Sequence, residues 1–540
     1  MYFANYEASS TPGLIEHVNW IYLVNTGKVG LNGMAATQPQ QSSNSSAFGV
    51  SLISIIIFGV AMVIFGLVIG AVFTSKILPE QASEQAIATD GLFQVLLSIG
   101  AMVFFLVQGL LVISVIRFRK RPNDITDGPN IHGNVTLEIV WTIIPSVIVV
   151  ILAILSYVVW QDNAAPRAQP NFVNGEPITI NARGQRYAWT FEYVTNVEVP
   201  AEEASAVQVQ DGGEESAANM VSFTTNQLHT YAGQNVELQM QTADVIHSFW
   251  IPAMRVKQDL LPGKETTIRF TPIETEDGFP YATLEGPFDL LLEEDGTRET
   301  RSFGDAAELV VRVIGEESGG NLTRVQLDTG LQGLVDSSLI GSTYARYRLN
   351  CAELCGGGHG EMYTYLIVHP DEETYLAAFY DSQVDAVLNP PADPVLIGQR
   401  AITNYACAGC HTFSALGWSG MTGPALDGIG DRAGDRATAA GDSNGAEYII
   451  QSIREPQAYF VPGYDGVIMP IHDSTDDGTN TYMPQSDLIG IVAYLCSQTA
   501  SGELTDSTCG LESWQADGGT LADTAAVVEE LTALSDPYQE

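Results

Sequence analysis

Basic residues and cysteines are both scarce in this chain. Lys and Arg together number 23 against 64 Asp and Glu, a formal net charge of −41 over 540 residues. That balance argues against nucleic acid or an anionic membrane surface as a partner, because both are held by positive charge. It reads as a solvated acidic surface, which also suits high salt, where long-range repulsion is screened. Six cysteines and eight histidines are few enough that where they gather is informative. No internal repeat is present.

Charge is missing altogether from three long apolar runs: Ala47–Phe73, Gly91–Ile116 and Ile139–Trp160. Each exceeds the roughly 20 apolar residues needed to cross a bilayer, so the chain is read as a membrane protein. The basic stretch "RFRKR" (Arg117–Arg121) lies between the second and third runs and places that loop in the cytoplasm. Residues 91–160 then form a transmembrane hairpin, and everything after Trp160 lies outside. Residues 47–73 are an extra span or an uncleaved signal anchor behind an N-terminal segment 1–46. A start at Met34 would instead make them a late signal sequence.

Residues 161–383 show short alternating runs rich in β-branched and aromatic residues, as in "PITINARGQRYAWTFEYV", and predict an antiparallel β-sandwich. Two acidic stretches, "AEEASAVQVQDGGEESAANM" and "ETEDGFPYATLEGPFDLLLEEDGTRETRSFGD", read as long surface insertions. A proline-rich linker, 384–394, precedes a small all-α domain over 395–500, and 501–540 reads as a loosely held acidic tail.

Soft ligands concentrate in "LNCAELCGGGHGEMYTYL", which places Cys351, Cys355, His359 and Met362 on one glycine-rich loop. Thiolate, imidazole and one weak thioether together select copper. Zinc is the rival but has no use for Met362, and a Cys351–Cys355 disulfide is a third reading outside the cytoplasm. A mononuclear copper site needs one thiolate. Two suggest sulfurs bridging two coppers, with a second histidine from elsewhere. His247, in "TADVIHSFWIP", is the best candidate. His229 and His369 sit beside turn signals and are expected to be solvated. Such a centre relays electrons and leaves no open position for a substrate, so the chemistry belongs to a partner.

The second cluster, "CAGCH" (Cys407, Cys410, His411), has the spacing of covalent c-type haem attachment. A redox dithiol would not need His411 and would sit near a βαβ pattern, which is absent. Cys496 and Cys509 remain as an even pair and are expected to form a disulfide.

Together, "TADVIHSFWIPAMRVKQDLLPG" and "YRLNCAELCGGGHGEM" resemble the cupredoxin-like, binuclear CuA domain of cytochrome c oxidase subunit II. "HGNVTLEIVWTIIP" resembles that subunit's second membrane helix. The resemblance covers Gly91 to Tyr380 apart from the acidic insertions. It implies bridging Cys351 and Cys355, terminal His247 and His359, and weak ligands from Met362 and the Glu353 carbonyl. It further implies a magnesium site at the subunit I interface through the Glu353 side chain, and Glu138 at the mouth of a proton channel. A carboxylate favoured by the helix dipole is the plainer account of Glu138.

The C-terminal domain resembles the cytochrome c fused to subunit II in caa-type oxidases. "YIIQSIREPQAYFVPGYDGVIMP" is similar to the segment carrying the distal methionine, which would be Met469, with Met483 as the alternative and Met421 too near His411. One departure is Tyr187, standing where the family usually has the tryptophan that meets soluble cytochrome c. Trp189 does match. The expectation is a multidomain electron-relay subunit of a respiratory terminal oxidase in a prokaryotic plasma membrane, its metal domains on the outer face. Its partners would be subunit I, subunit III, membrane lipid and an external donor: cytochrome c, another small redox protein or an upstream complex. Coupled proton pumping would belong to subunit I. The alternatives are the CuA subunit of a membrane nitric oxide reductase and a copper-binding assembly protein.

Overall fold

The computed structural model describes residues 52–119, 133–165, 170–199, 209–210, 219–242, 244–294, 297–304, 308–316, 321–405, 407–416, 418–467, 469–474, 481–499, 508–514, 516–517, 520–521 and 523–538. The segment 1–46 and most of the basic loop after Arg119 lie outside these residues.

Three helices realise the apolar runs: α1 (Leu52–Ile77), α2 (Glu84–Phe118) and α3 (Val135–Ala164). All three are long and apolar enough to cross a membrane. The second helix starts earlier than its apolar run because Ser83 caps it, accepting from Ala86 N at 3.0 Å. Helices α1 and α2 approach closely at Gly66 and Gly70, where a Cβ would come within 2.7 Å of Met102 and 2.8 Å of Ser98 Cβ. Small residues four apart give such contact in a medium with no hydrophobic drive between helices.

The connection between α1 and α2 is stitched to the β domain. Ala82 N donates to Ala253 O, Glu84 N to Thr271 O and Ile273 N to Ala82 O. Arg255, in a left-handed turn (φ 54), reaches the buried Asp90 carboxylate through Nε at 2.7 Å and Nη2 at 2.9 Å. These bonds hold the start of α2 on the β-domain side, where Arg269 Nη1 also donates to Ala164 O at the end of α3 at 3.5 Å. The end of α2 and the start of α3 lie at the opposite ends of these helices.

The β domain packs two sheets. One contains β1 (Thr179–Gln185), β2 (Ala188–Val199), β3 (Asn219–Thr225), β5 (Val236–Gln241) and β8 (Thr266–Phe270), with a two-residue edge strand at Val209–Gln210. The other has the order β7 (Val256–Leu260), β6 (His247–Ile251), β15 (Ala345–Cys351), β16 (Tyr363–His369), β4 (Leu228–Tyr231). Alternation of period two builds the core: Val236, Leu238 and Met240 point in while Gln239 and Gln241 point out. The sandwich is not wholly antiparallel as expected. β1 runs parallel to β5, and β16 parallel to β4, because these pairs are joined by crossing connections and not hairpins.

The second acidic stretch is not a surface loop either. It opens a third, antiparallel six-stranded sheet of order β9 (Tyr281–Glu285), β12 (Glu308–Glu316), β13 (Leu322–Gln326), β14 (Gln332–Asp336), β10 (Phe288–Glu294), β11 (Thr297–Phe303). Its strands bury Ala282, Leu284, Leu290, Val311 and Val325 in a core of their own. Of the first acidic stretch only residues 209–210 and 219–220 are described.

A helix formed by Glu372–Tyr375, the π-turn Leu376–Tyr380 and Asp381–Leu388 (α4) closes the β domain. Helix therefore continues past residue 384, and the linker shortens to 389–393. Beyond it α5 (Pro394–Asn404), α6 (Ile429–Ala440), α7 (Gly445–Arg454) and α8 (Gln485–Ser497) surround one core. The tail is not loose: α9 (Thr524–Ser535) buries Val527 and Leu531, one turn apart, against that core. Cys496 and Cys509 are disulfide-bonded, with Cα atoms 5.6 Å apart.

Candidate metal centre

Strand pairing assembles the first cluster. β15 lies beside β6 with Cys351 opposite Phe249, which brings Cys351 to His247, 104 residues away in sequence. The loop that follows is closed by Cys351 N donating to Met362 O and Ala352 N to Ser248 O, both at 2.9 Å. Around the two sulfurs, 4.0 Å apart, the expected ligands converge. His247 Nδ1 lies 3.7 Å from Cys351 Sγ, His359 Nδ1 3.6 Å from Cys355 Sγ, and Met362 Sδ 3.7 Å from Cys355 Sγ. The Glu353 carbonyl oxygen is 3.2 Å from Cys351 Sγ, while its side chain is exposed.

The electrostatics call for a cation. Burial raises both thiols, but bonds from His247 and the backbone bring Cys351 down to about 6. Burial and the neighbouring Cys351 push Cys355 up to about 12. Two thiolates at this separation repel, so holding both ionised needs positive charge between them. Soft sulfur and imidazole donors around that space fit copper.

Asp244 is the residue that sequence reasoning missed. His247 Nε2–H donates to Asp244 Oδ1 at 2.8 Å, which fixes the tautomer and leaves Nδ1 for the metal. Burial opposes the Asp244 charge, but bonds from His247, Arg186 N and Val245 N outweigh it and hold the carboxyl well below the usual range. Its place three residues before His247 was the available signal. His229 and His369 are not solvated. His369 is buried, His229 Nδ1 lies 3.2 Å from His369 Nε2, and His229 stacks on Phe379 at 3.8 Å. They face each other because β4 and β16 pair in parallel.

Glu138 sits in the first turn of α3, turned back so that its Oε1 would lie 2.9 Å from a Cβ at Gly133. That is the position a helix N-terminus favours for a carboxylate.

In the C-terminal domain Cys407, Cys410 and His411 line one wall of a largely apolar cavity, with Met469 and Met483 also lining it. His411 Nδ1–H donates to Pro424 O at 2.6 Å, leaving Nε2 as the free donor nitrogen. Burial raises Cys407 to about 12 and Cys410 to about 11. Thiols so reluctant to ionise make a poor redox pair, and the site's chemistry fits haem attachment. Met421 is 80% exposed and stands apart. His472 also lines the cavity, with a buried Nδ1 that lacks a hydrogen-bond partner. Its run, "IHDSTDDGTNTY", carried only the signal of a polar insertion.

The β-sandwich, its converging soft donors and the three helices long and apolar enough to cross a membrane fit a membrane-anchored metal-binding protein. Residues 71–159 match the family described as "Cytochrome C oxidase subunit II, transmembrane domain" and residues 178–282 the one described as "Cytochrome C oxidase subunit II, periplasmic domain". The chain is similar to proteins named cytochrome c oxidase subunit 2. The Synechocystis protein is 32% identical over 234 residues, covering 36% of this chain and 63% of that one. The Thermostichus vulcanus protein is 28% identical over 343 residues, covering 55% and 76%. The Alkalihalophilus pseudofirmus protein is 23% identical over 402 residues, covering 74% and 83%. Over these two segments the chain is similar to cytochrome c oxidase subunit II.

Proposed function

We propose that this chain is the electron-relay subunit of a respiratory terminal oxidase, linking an external donor to the oxygen-reducing haem–copper subunit I. The observation that carries the reading is the convergence of His247, Cys351, Cys355, His359 and Met362 about two sulfurs 4.0 Å apart. Two coppers held there supply a centre that shares one electron between them. The chain's own residues do the rest. Cys351, Cys355, His247 and His359 would hold the coppers, and Asp244 orients the His247 ring.

In the C-terminal domain Cys407 and Cys410 would attach haem c, with His411 on one face and Met469 on the other. The exposed Glu353 carboxylate would hold magnesium against subunit I, and Glu138 would stand at the mouth of a proton path. Subunit III and a prokaryotic plasma membrane complete the proposal, with both metal domains outside.

The test is to purify the native complex through this subunit, then record its absorption and electron spin resonance spectra and its oxygen uptake. A haem c band, a signal shared by two copper nuclei and donor-dependent oxygen consumption are expected. Nitric oxide consumption without oxygen uptake would reassign the complex. Reversible copper exchange with no haem would make the chain a copper carrier.

A further inference from the structure

The β1–β2 turn and the segment leading into β6 finish at the same end of one sheet. β1 and β5 run parallel, with Arg183 opposite Gln241. The residues that close the β1–β2 hairpin, Arg186 and Tyr187, therefore meet the chain that leaves β5 for His247. There Arg186 grips Asp244 twice. Its backbone N–H donates to Asp244 Oδ2 at 2.9 Å, and its side-chain Nε–H donates to the same oxygen at 3.1 Å. The other carboxylate oxygen, Oδ1, accepts from Val245 N at 2.7 Å, Thr242 Oγ1 at 3.0 Å and His247 Nε2 at 2.8 Å. Both oxygens are filled, and among these donors the Arg186 guanidinium is charged at any working pH.

That charge is felt because the pair is largely covered. The Arg186 and Asp244 side chains are only 23% and 22% exposed, so water screens them less than it screens an open surface pair. A carboxylate bonded behind a ligand imidazole raises the basicity of the ring. A cation bonded to that carboxylate draws the negative charge back and weakens the push. His359, the other imidazole beside the sulfurs, has no carboxylate bonded to it among the described residues. Left unopposed, Asp244 would make His247 much the stronger donor of the two. Arg186 offsets part of that difference.

We infer that Arg186 is a positioning residue for the copper relay: acting through Asp244, its guanidinium holds down the donor strength of His247 and raises the potential at which the centre accepts an electron. The Arg186 N–H survives any substitution that keeps the turn, whereas the charge does not. This rests on the proposed function in taking His247 as a copper ligand. The chain of bonds from Arg186 through Asp244 to His247 stands without it.

The test is a redox titration of the copper electron spin resonance signal in the purified full-length complex. Arg186→Gln keeps the N–H and a side-chain amide but removes the charge. At the parent's midpoint potential it should lower the ratio of reduced to oxidised copper about tenfold, a shift of about 59 mV for a one-electron couple. It should also shift the coupling of the unpaired electron to the His247 nitrogen. Arg186→Lys keeps the charge and should stay close to the parent in both readings. An Arg186→Gln potential equal to the parent's overturns the inference and leaves the proposed function standing. Equal shifts in the two variants do the same, since they trace the effect to shape and not to charge. Copper lost from either variant would make Arg186 a structural residue and also overturns it. A parent complex that holds no copper overturns the proposed function, and the inference falls with it.

Discussion

Asp244 holds His247 by a 2.8 Å hydrogen bond from Nε2, and the opposite ring nitrogen faces Cys351 Sγ at 3.7 Å. The carboxylate thus decides which nitrogen is offered to metal. Asp244→Asn should weaken copper binding about 10–100-fold, the range for lost support behind a ligand histidine. Chelator-competition titration checks it. Copper affinity equal to the parent's would mean that strand pairing alone fixes the ring.

The sulfur pair makes a sharper demand. In a soluble fragment beginning after Trp160, the parent sequence should bind two coppers and give a signal split by both nuclei. Cys355→Ser removes one bridge and should leave a mononuclear signal or none. An unchanged shared signal would rule out the bridging assignment.

His411→Ala should stop turnover with a soluble donor while the copper signal persists, because in the proposed path electrons enter through the haem that His411 would hold. Turnover at the parent rate with a haem-free chain would show direct access to the copper face.

For the distal ligand, Met469→Leu should remove the weak sulfur-to-iron band and lower the haem potential, since Met/His ligation raises it. Met483 is 1% exposed, and its carbonyl accepts from Arg454 Nη2 at 3.1 Å. Met483→Leu should therefore cost stability and keep the band. Loss of the band in Met483→Leu alone would reverse the assignment.

Acid should act through the His229–His369 pair. Burial lowers His369 to about 4, with Asp371 opposing it, and lowers His229 well below its ordinary value. Both are neutral in the folded domain. Between pH 6.5 and about 4 the unfolded chain binds protons that the folded one refuses, so stability falls as pH falls through that window. For His369 alone the loss is roughly 3 kcal/mol. Urea unfolding of the copper domain at several pH values checks this. His369→Gln should flatten the slope, and an unaltered slope would assign the acid sensitivity elsewhere.

The membrane spans could be read directly, because an uncharged run of sufficient length is a local property and a bilayer accepts little else. The cluster of Cys351, Cys355, His359 and Met362 was legible for the same reason: one short loop holds it. His247 was found only by its strand context and the family resemblance, and its meeting with Cys351 depends on β6 pairing with β15.

Everything set by which distant surfaces touch was decided by tertiary structure. Asp244 matters because the β1–β2 turn brings the Arg186 backbone to it. His229 and His369 looked solvated beside turns until a parallel strand pair buried them face to face. The acidic stretch from Glu274 hid a sheet because its charges outnumber the few apolar residues, such as Ala282, Leu284 and Leu290, that its strands bury. The tail packs because Val527 and Leu531 share a helix face. Tyr187 read as a substitution; only the fold set it between two glycine-bearing loops from separate domains. Composition and spacing report what a segment can do alone, whereas burial and long-range pairing depend on partners far away in the chain.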